Sequence, residues 1–191
     1  GKTTLIKLIN GLLRPSGGTI LVCGKPAGVE SKALISYLPD RFCLDPWMRI
    51  KDGLSFYEDF YGDFSRETAE TMLAGLGLDI TKRLKTLSKG NREKVQLVLT
   101  MSRKARLYLL DEPIGGVDPA ARDYIINTII SNYREDAAVL ISTHLIQDVE
   151  GILDDIFFLK EGSLILHGSA DDIRAQKGMS IDSHFREVFK C

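Results

Sequence analysis

The sequence predicts an α/β fold: a mainly parallel sheet flanked by helices, with a helical subdomain inserted into it. Three observations carry this. Short β-rich runs alternate with amphipathic segments along most of the chain. One run, Arg106 to Leu110, is apolar enough to be a strand buried on both faces. Between residues 45 and 88 the pattern turns helical with no strand in it.

From Lys2 to Leu13 the residues Leu5, Ile6, Leu8, Ile9, Leu12 and Leu13 fall at helical spacing, and Arg14-Pro15-Ser16-Gly17-Gly18 is the stop. Thr19 to Cys23 and Ala33 to Leu38 are β-rich, with turn chemistry around Gly24, Pro26 and Gly28 between them and Pro39 after the second. Helices follow from Ile50 to Leu78. There Ser65 is a natural N-cap for a helix with Ala69, Met72, Leu73 and Leu76 on one face, and Gly77 ends it. Lys89 to Arg103 reads as another helix, which extends the helical subdomain over 45–104. Asp118-Pro119 opens a helix that runs to about Tyr133. Ala138 to Ser142 is a strand and Leu145 to Leu153 a helix. Ile156 to Leu159 and Ser163 to His167 form a hairpin across Glu161-Gly162, and Ser169-x-x-Asp172 opens a last helix.

With 191 residues, 44% of them hydrophobic and 27% charged, the chain has a globular composition that excludes a disordered, fibrous or miniprotein class. No apolar run is long enough to span a bilayer. A formal net charge of -1 gives the whole chain no electrostatic reason to seek nucleic acid or anionic lipid. Cys23, Cys43 and Cys191 are widely separated and lack C-x-x-C spacing, which argues against a disulfide framework or a zinc site and for a reducing cytosol. The chain opens on Gly1-Lys2-Thr3-Thr4 without an initiator Met, so the expectation is a fragment whose upstream end is missing.

Gly1-Lys2-Thr3-Thr4 at a helix start matches the second half of the phosphate loop G-x-x-x-x-G-K-[ST]. Free N–H groups and the helix dipole attract anionic phosphate there. Gly1 would allow close backbone approach, Lys2 would reach the β/γ-phosphates, and the Thr3 hydroxyl would hold Mg²⁺. The second feature is an apolar strand ending in two acids, Asp111-Glu112. At the carboxyl end of a strand, in the ligand crevice of a doubly wound sheet, Asp111 can bind a metal and Glu112 can act as general base on water.

Together these features resemble the ATP-binding cassette (ABC) ATPases, the nucleotide-binding subunits or domains of ABC transporters, and the resemblance covers essentially the whole chain. Leu87-Ser88-Lys89-Gly90-Asn91, just before a helix, is similar to the family signature L-S-G-G-Q. Gly116-Val117-Asp118-Pro119 resembles the D-loop, and Ser142-Thr143-His144 resembles the segment bearing the switch histidine. The resemblance implies a P-loop NTPase-like fold and an ATPase that hydrolyses ATP to ADP and phosphate with Mg²⁺. It adds Thr4, Ser88, Lys89, Gly90, Asn91 and Asp118 to the nucleotide-binding residues and His144 to Glu112 as catalytic. It also implies a second ABC ATPase subunit that sandwiches ATP against the first, and separate transmembrane permease subunits. It further implies a cytoplasmic location, peripheral on the cytoplasmic face of the cell membrane, with export as the suggested direction of transport.

Where the family has a glutamine after the strand Ala33 to Leu38, this chain has Asp40, which can meet the same cation through oxygen and is counted with Thr3 and Asp111 as a metal residue. Lys89 stands for the first signature glycine and Asn91 for the glutamine. The segment Arg41 to Tyr61, with Phe42, Trp47, Phe56, Tyr57 and Phe60, is the expected contact with a membrane subunit, the core of the helical subdomain being the competing place for these rings. Lys82 to Arg106 carries nine basic residues against Glu93 alone. Without interleaved aromatics this reads as a solvated helix face and, near Lys89, as attraction to the partner's nucleotide, and direct nucleic-acid contact is not expected. The rival reading is a soluble ABC-type ATPase acting on ribosomes or nucleic acid. The interval from Thr4 to Ser88 is too short for the long coiled coil of the chromosome-maintenance relatives. A third reading, a switch that hydrolyses poorly, is disfavoured by the presence of both Glu112 and His144.

Overall fold

The computed structural model describes residues 1–115, 117 and 119–189, the side chains of 120 and 121 excepted. Three parallel strands form its centre in the order β3-β4-β5: β3 Ile35–Leu38, β4 Leu107–Asp111 and β5 Ala138–Ser142. Because side chains alternate across a strand, β4 serves two cores. Leu109 faces Ile6 of α1 (Lys2–Ile9) together with Ile35 and Val22. Tyr108 and Leu110 face Leu97 and Met101 of α5 (Lys89–Met101) and Ile125 and Ile129 of α6 (Pro119–Asn132). The sheet is thus covered on both sides, as the apolar reading of β4 required.

The inserted helices α3 (Ile50–Phe60) and α4 (Arg66–Gly75) have their own core of Leu54, Tyr57, Ala69, Leu73 and Leu84. It is closed by Val95, Val98 and Leu99 on α5, so α5 is buried on one side by the sheet and on the other by the insertion. Ser65 caps α4 as expected, its hydroxyl accepting the Thr68 N–H at 3.3 Å. Arg103, 4% exposed, fastens the end of α5 to the sheet. Its guanidinium meets Asp63 at 2.9 and 3.1 Å, donates to the Ile35 and Ala33 carbonyls and lies over the Tyr61 ring.

A third core joins the antiparallel pair β6 (Asp155–Lys160) and β7 (Ser163–Ser169) to α7 (Ile146–Val149), α8 (Ala170–Lys177) and α9 (Ile181–Phe189). The hairpin turn falls on Glu161-Gly162, both with positive φ (51° and 84°), the requirement of a type I′ turn.

Five local expectations are corrected. α1 stops at Ile9, not near Leu13, because Gly11 takes φ +63° and closes a Schellman motif: its N–H bonds the Leu8 carbonyl and that of Leu12 the Lys7 carbonyl. Leu12 and Leu13 are left exposed. The β-rich run at Thr19 forms only β1 (Leu21–Val22), paired antiparallel with β2 (Lys25–Pro26) inside the stretch read as turn. A short α2 (Val29–Lys32) precedes β3. The helix read from Leu145 to Leu153 is α7 followed by a 3-10 turn over Glu150–Ile152, and α9 is a second terminal helix that the sequence reading omitted.

Candidate functional site

The strand register assembles the site. Asp111 of β4 pairs with Ser142 of β5, so the Ser142 hydroxyl donates to Asp111 Oδ1. Thr3, in the first turn of α1, donates to the same oxygen at 3.3 Å. Lys2 beside it reaches the Thr143 carbonyl at 3.3 Å and Glu112 Oε1 at 3.4 Å. His144 Nδ1 lies 2.9 Å from Glu112 Oε2, and the His144 N–H points to the same oxygen at 3.4 Å. Gly1 is the N-cap of α1, with its Cα side against the Gly162 turn. The start of α1 and the ends of β4 and β5 therefore bring Lys2, Thr3, Asp111, Glu112 and His144 into one bonded cluster, while Thr4 is exposed next to it.

Glu112 owes its direction to the backbone. It has φ +52°, a left-handed conformation that costs a non-glycine residue about 1–2 kcal/mol. Two bonds hold it there: its N–H to the Ser142 carbonyl at 2.8 Å, and its own carbonyl accepting the Gly115 N–H at 2.9 Å. Gly115 has to be small, since a Cβ there would sit 3.2 Å from the Glu112 carbonyl and 3.3 Å from its Cβ.

Asp111 and Glu112 also line a small pocket with Asp40, Glu93 and Gln96. Asp111 is 1% exposed, and its second oxygen, Oδ2, is buried with no hydrogen-bond partner. An orphaned buried carboxylate oxygen next to a threonine hydroxyl is a donor set that fits a hard, oxygen-seeking cation such as Mg²⁺. No cluster of three or more His, Cys, Asp or Glu side chains around one point occurs among the described residues. The site suits a cation shared with phosphate oxygens better than an all-protein cage. Asp40 is exposed at the rim. Burial raises the Glu93 carboxyl above its ordinary value, with Lys89 pulling the other way and Asp40 adding to the rise. Burial, then the Asp111 charge, raises the Tyr37 hydroxyl.

The signature-like residues stand apart from this cluster. Ser88 caps α5 by accepting the Asn91 N–H at 3.2 Å, and Lys89 pairs with Glu93 at 3.6 Å one turn on. Among the described residues, no hydrogen bond or ion pair joins Ser88, Lys89, Gly90 or Asn91 to Lys2, Glu112 or His144. Asp118 and Gly116 lie outside the described residues. Sequence reasoning missed Ser142, Thr143 and Gln96 as site residues. The first two were in plain view beside His144, but their roles come from strand register, and that of Gln96 from a fold between distant segments. Of the expected aromatic anchors, Tyr57 belongs to the core of the insertion, whereas Trp47 (65%) and Phe60 (69%) are exposed and Phe56 partly so. The basic stretch is not one solvated face either: Arg103 is buried on Asp63, Arg106 pairs with Asp136 at 2.9 Å, and the Lys85 ammonium sits 3.4 Å from the Trp47 ring centre.

Residues 1–115 match the family model described as ABC transporter. The ABC transporter ATP-binding protein YhaQ of Bacillus subtilis is 31% identical over 93% of this chain, which spans 61% of its length. The ABC-type transporter ATP-binding protein EcsA of the same organism is 31% identical over the whole chain and 81% of its own length. A solved structure of an ATP binding subunit of an ABC transporter, 28% identical, superposes on 99% of the chain and 83% of its own with a TM-score of 0.86. The parallel sheet flanked by helices is thus the P-loop NTPase fold of that subunit, and the chain belongs to the ABC transporter family.

Proposed function

We propose that the chain is the ATP-binding subunit of an ABC transporter, which binds and hydrolyses ATP to drive transport by separate transmembrane permease subunits. The observation that carries this reading is the bonded cluster of Lys2, Thr3, Asp111, Glu112 and His144 at the start of α1 and the carboxyl ends of two parallel strands. The similarity to ATP-binding proteins of ABC transporters favours transport over the ribosome or nucleic-acid reading.

In this reading the free N–H groups at the start of α1, together with Gly1 and Thr4, cradle the phosphates, and the Lys2 ammonium neutralises charge that develops on the γ-phosphate. Thr3 and Asp111, with Asp40 at the rim, would hold Mg²⁺, which when bound supplies Lewis-acid charge stabilisation. Glu112, turned inward by its left-handed backbone, takes the proton of the attacking water, and His144, hydrogen-bonded to the same carboxylate, orients that base and reaches the γ-phosphate side. Ser88, Lys89, Gly90 and Asn91 at the start of α5 serve the nucleotide of a second ABC ATPase subunit, which accounts for their separation from the chain's own cluster. Asp118 belongs to that same interface. The helical subdomain spans 45–104, and the protein works at the cytoplasmic face of the cell membrane, where Trp47 and its surroundings meet a permease subunit.

The test is Glu112→Gln. It should keep nucleotide binding and lower turnover by at least about 100-fold, the contribution expected of a general base, while closed dimer accumulates on a sizing column with ATP. Near-normal hydrolysis would overturn the assignment of the base.

A further inference from the structure

The side chain of Gln96 lies two turns along α5 from the signature-like start, 3% exposed, and is spent entirely on one loop. Its Oε1 accepts the Cys43 N–H at 3.1 Å, while its Nε2 donates to the Pro39 carbonyl at 3.3 Å and faces the Arg41 carbonyl at 3.5 Å. A primary amide has two donor and two acceptor positions, and three of them are used here on a five-residue segment. Pro39 and Arg41 are the two neighbours of Asp40. The amide therefore grips the backbone on both sides of the residue that takes the place of the family's glutamine. Pro39, Asp40 and Gln96 all line the pocket that also holds Asp111 and Glu112.

We propose that Gln96 is the positioning residue for Asp40: its buried amide fixes the 39–43 loop so that the Asp40 carboxylate faces the cation pocket, and it makes that loop follow α5. This rests on the proposed nucleotide chemistry and deepens it. The loop has no helix or strand of its own, and its backbone groups look to Gln96 for partners. Asp40 is exposed and makes no hydrogen bond or ion pair with another described side chain, so its direction is set by the backbone that carries it. A displacement of α5, which Ser88 caps and whose middle carries Gln96, is passed to Asp40 through these bonds, the loop also being held to the insertion by Phe42.

The experiment measures Mn²⁺ uptake by electron paramagnetic resonance in the presence of a non-hydrolysable ATP analogue, alongside analogue affinity without metal and the thermal midpoint. Gln96→Met keeps the bulk and removes the amide. It should weaken Mn²⁺ uptake about 10-fold, the usual cost of losing an outer partner of a metal ligand, with metal-free analogue affinity unchanged. Asp40→Asn should weaken uptake similarly, and the double substitution should add nothing further, since Gln96 acts through Asp40. Full additivity, or normal uptake by Gln96→Met where Asp40→Asn weakens it, overturns the role of Gln96 and leaves the nucleotide reading standing. Absence of uptake by the unsubstituted protein sinks the nucleotide reading itself. Should Gln96→Met fail to fold, Gln96→Glu carries the test. It retains the acceptor for Cys43 and loses both donors, so it should weaken Mn²⁺ uptake about as much as Gln96→Met is expected to. Normal uptake by Gln96→Glu counts against the proposal.

Discussion

Gly115 and Glu112 illustrate how narrow the tolerances at the twin acids are. The left-handed turn that aims Glu112 at Lys2 and His144 is closed by the Gly115 N–H, and a methyl group at Gly115 would crowd the Glu112 carbonyl and Cβ at 3.2 and 3.3 Å. Gly115→Ala has to push back the Glu112 carbonyl and Cβ by a few tenths of an ångström. We expect about a tenfold loss of turnover with nucleotide affinity nearly unchanged, because the misplaced atom is the base and not the phosphate grip. Equal losses in both would show that the loop as a whole had collapsed. Ser142 is the complementary case: a residue with no chemistry of its own, on which the most buried carboxylate of the site depends for a donor.

Among the elements, α9 has the most titratable attachment. Burial would raise the Glu150 carboxyl. The N–H groups of Ile181 and Asp182 at the head of α9 and the Arg174 guanidinium outweigh that and hold it below its ordinary value. A carboxyl whose value is lower in the folded protein than in the unfolded chain stabilises fully above the unfolded value, and this is lost as the pH falls through the folded one. The protection of the α9 amides, measured against their intrinsic exchange rates, should therefore fall on acidification below about pH 4, ahead of the sheet strands, and Glu150→Gln should lower it already at neutral pH. If β4 exchanged as early as α9, the attachment would not be local. The capping signals at Ser65, Ser88 and Ser169 were legible in the sequence because a cap is a matter of residues three apart. The early end of α1 was not, since Gly11 sits inside an unbroken apolar rhythm that continues to Leu13. α9 was missed although its signals are there: Gly178 takes φ +64° to end α8, and the Ser180 hydroxyl caps the next helix by accepting the Ser183 N–H at 3.1 Å.

At the scale of the molecule, the alternation of strands and helices and the phosphate-loop half were enough to anticipate the parallel sheet and the place where Lys2 and Thr3 meet the twin acids Glu112 and Asp111. What stayed hidden depends on contacts between segments far apart in the chain: the bonds from Gln96 to Cys43 and its neighbours, the clasp of Arg103 on Asp63, and the partition of rings between surface and core that sent Tyr57 inside and left Trp47 out. In the proposed permease contact, Trp47, 65% exposed with the Lys85 ammonium over its ring, is an anchor, and Trp47→Ala should weaken association with the membrane subunit by about 2 kcal/mol, as for a central interface residue. Unchanged association in a pull-down would remove it from that surface. The double burial of α5 reaches further than any of these positions. A single helix serves as a wall of two cores, so neither core can melt while the other keeps its wall. Differential scanning calorimetry should accordingly record one heat-absorption peak for the sheet and the insertion together, with matching calorimetric and van't Hoff enthalpies, and two separated peaks would mean that the shared wall can be abandoned by one side.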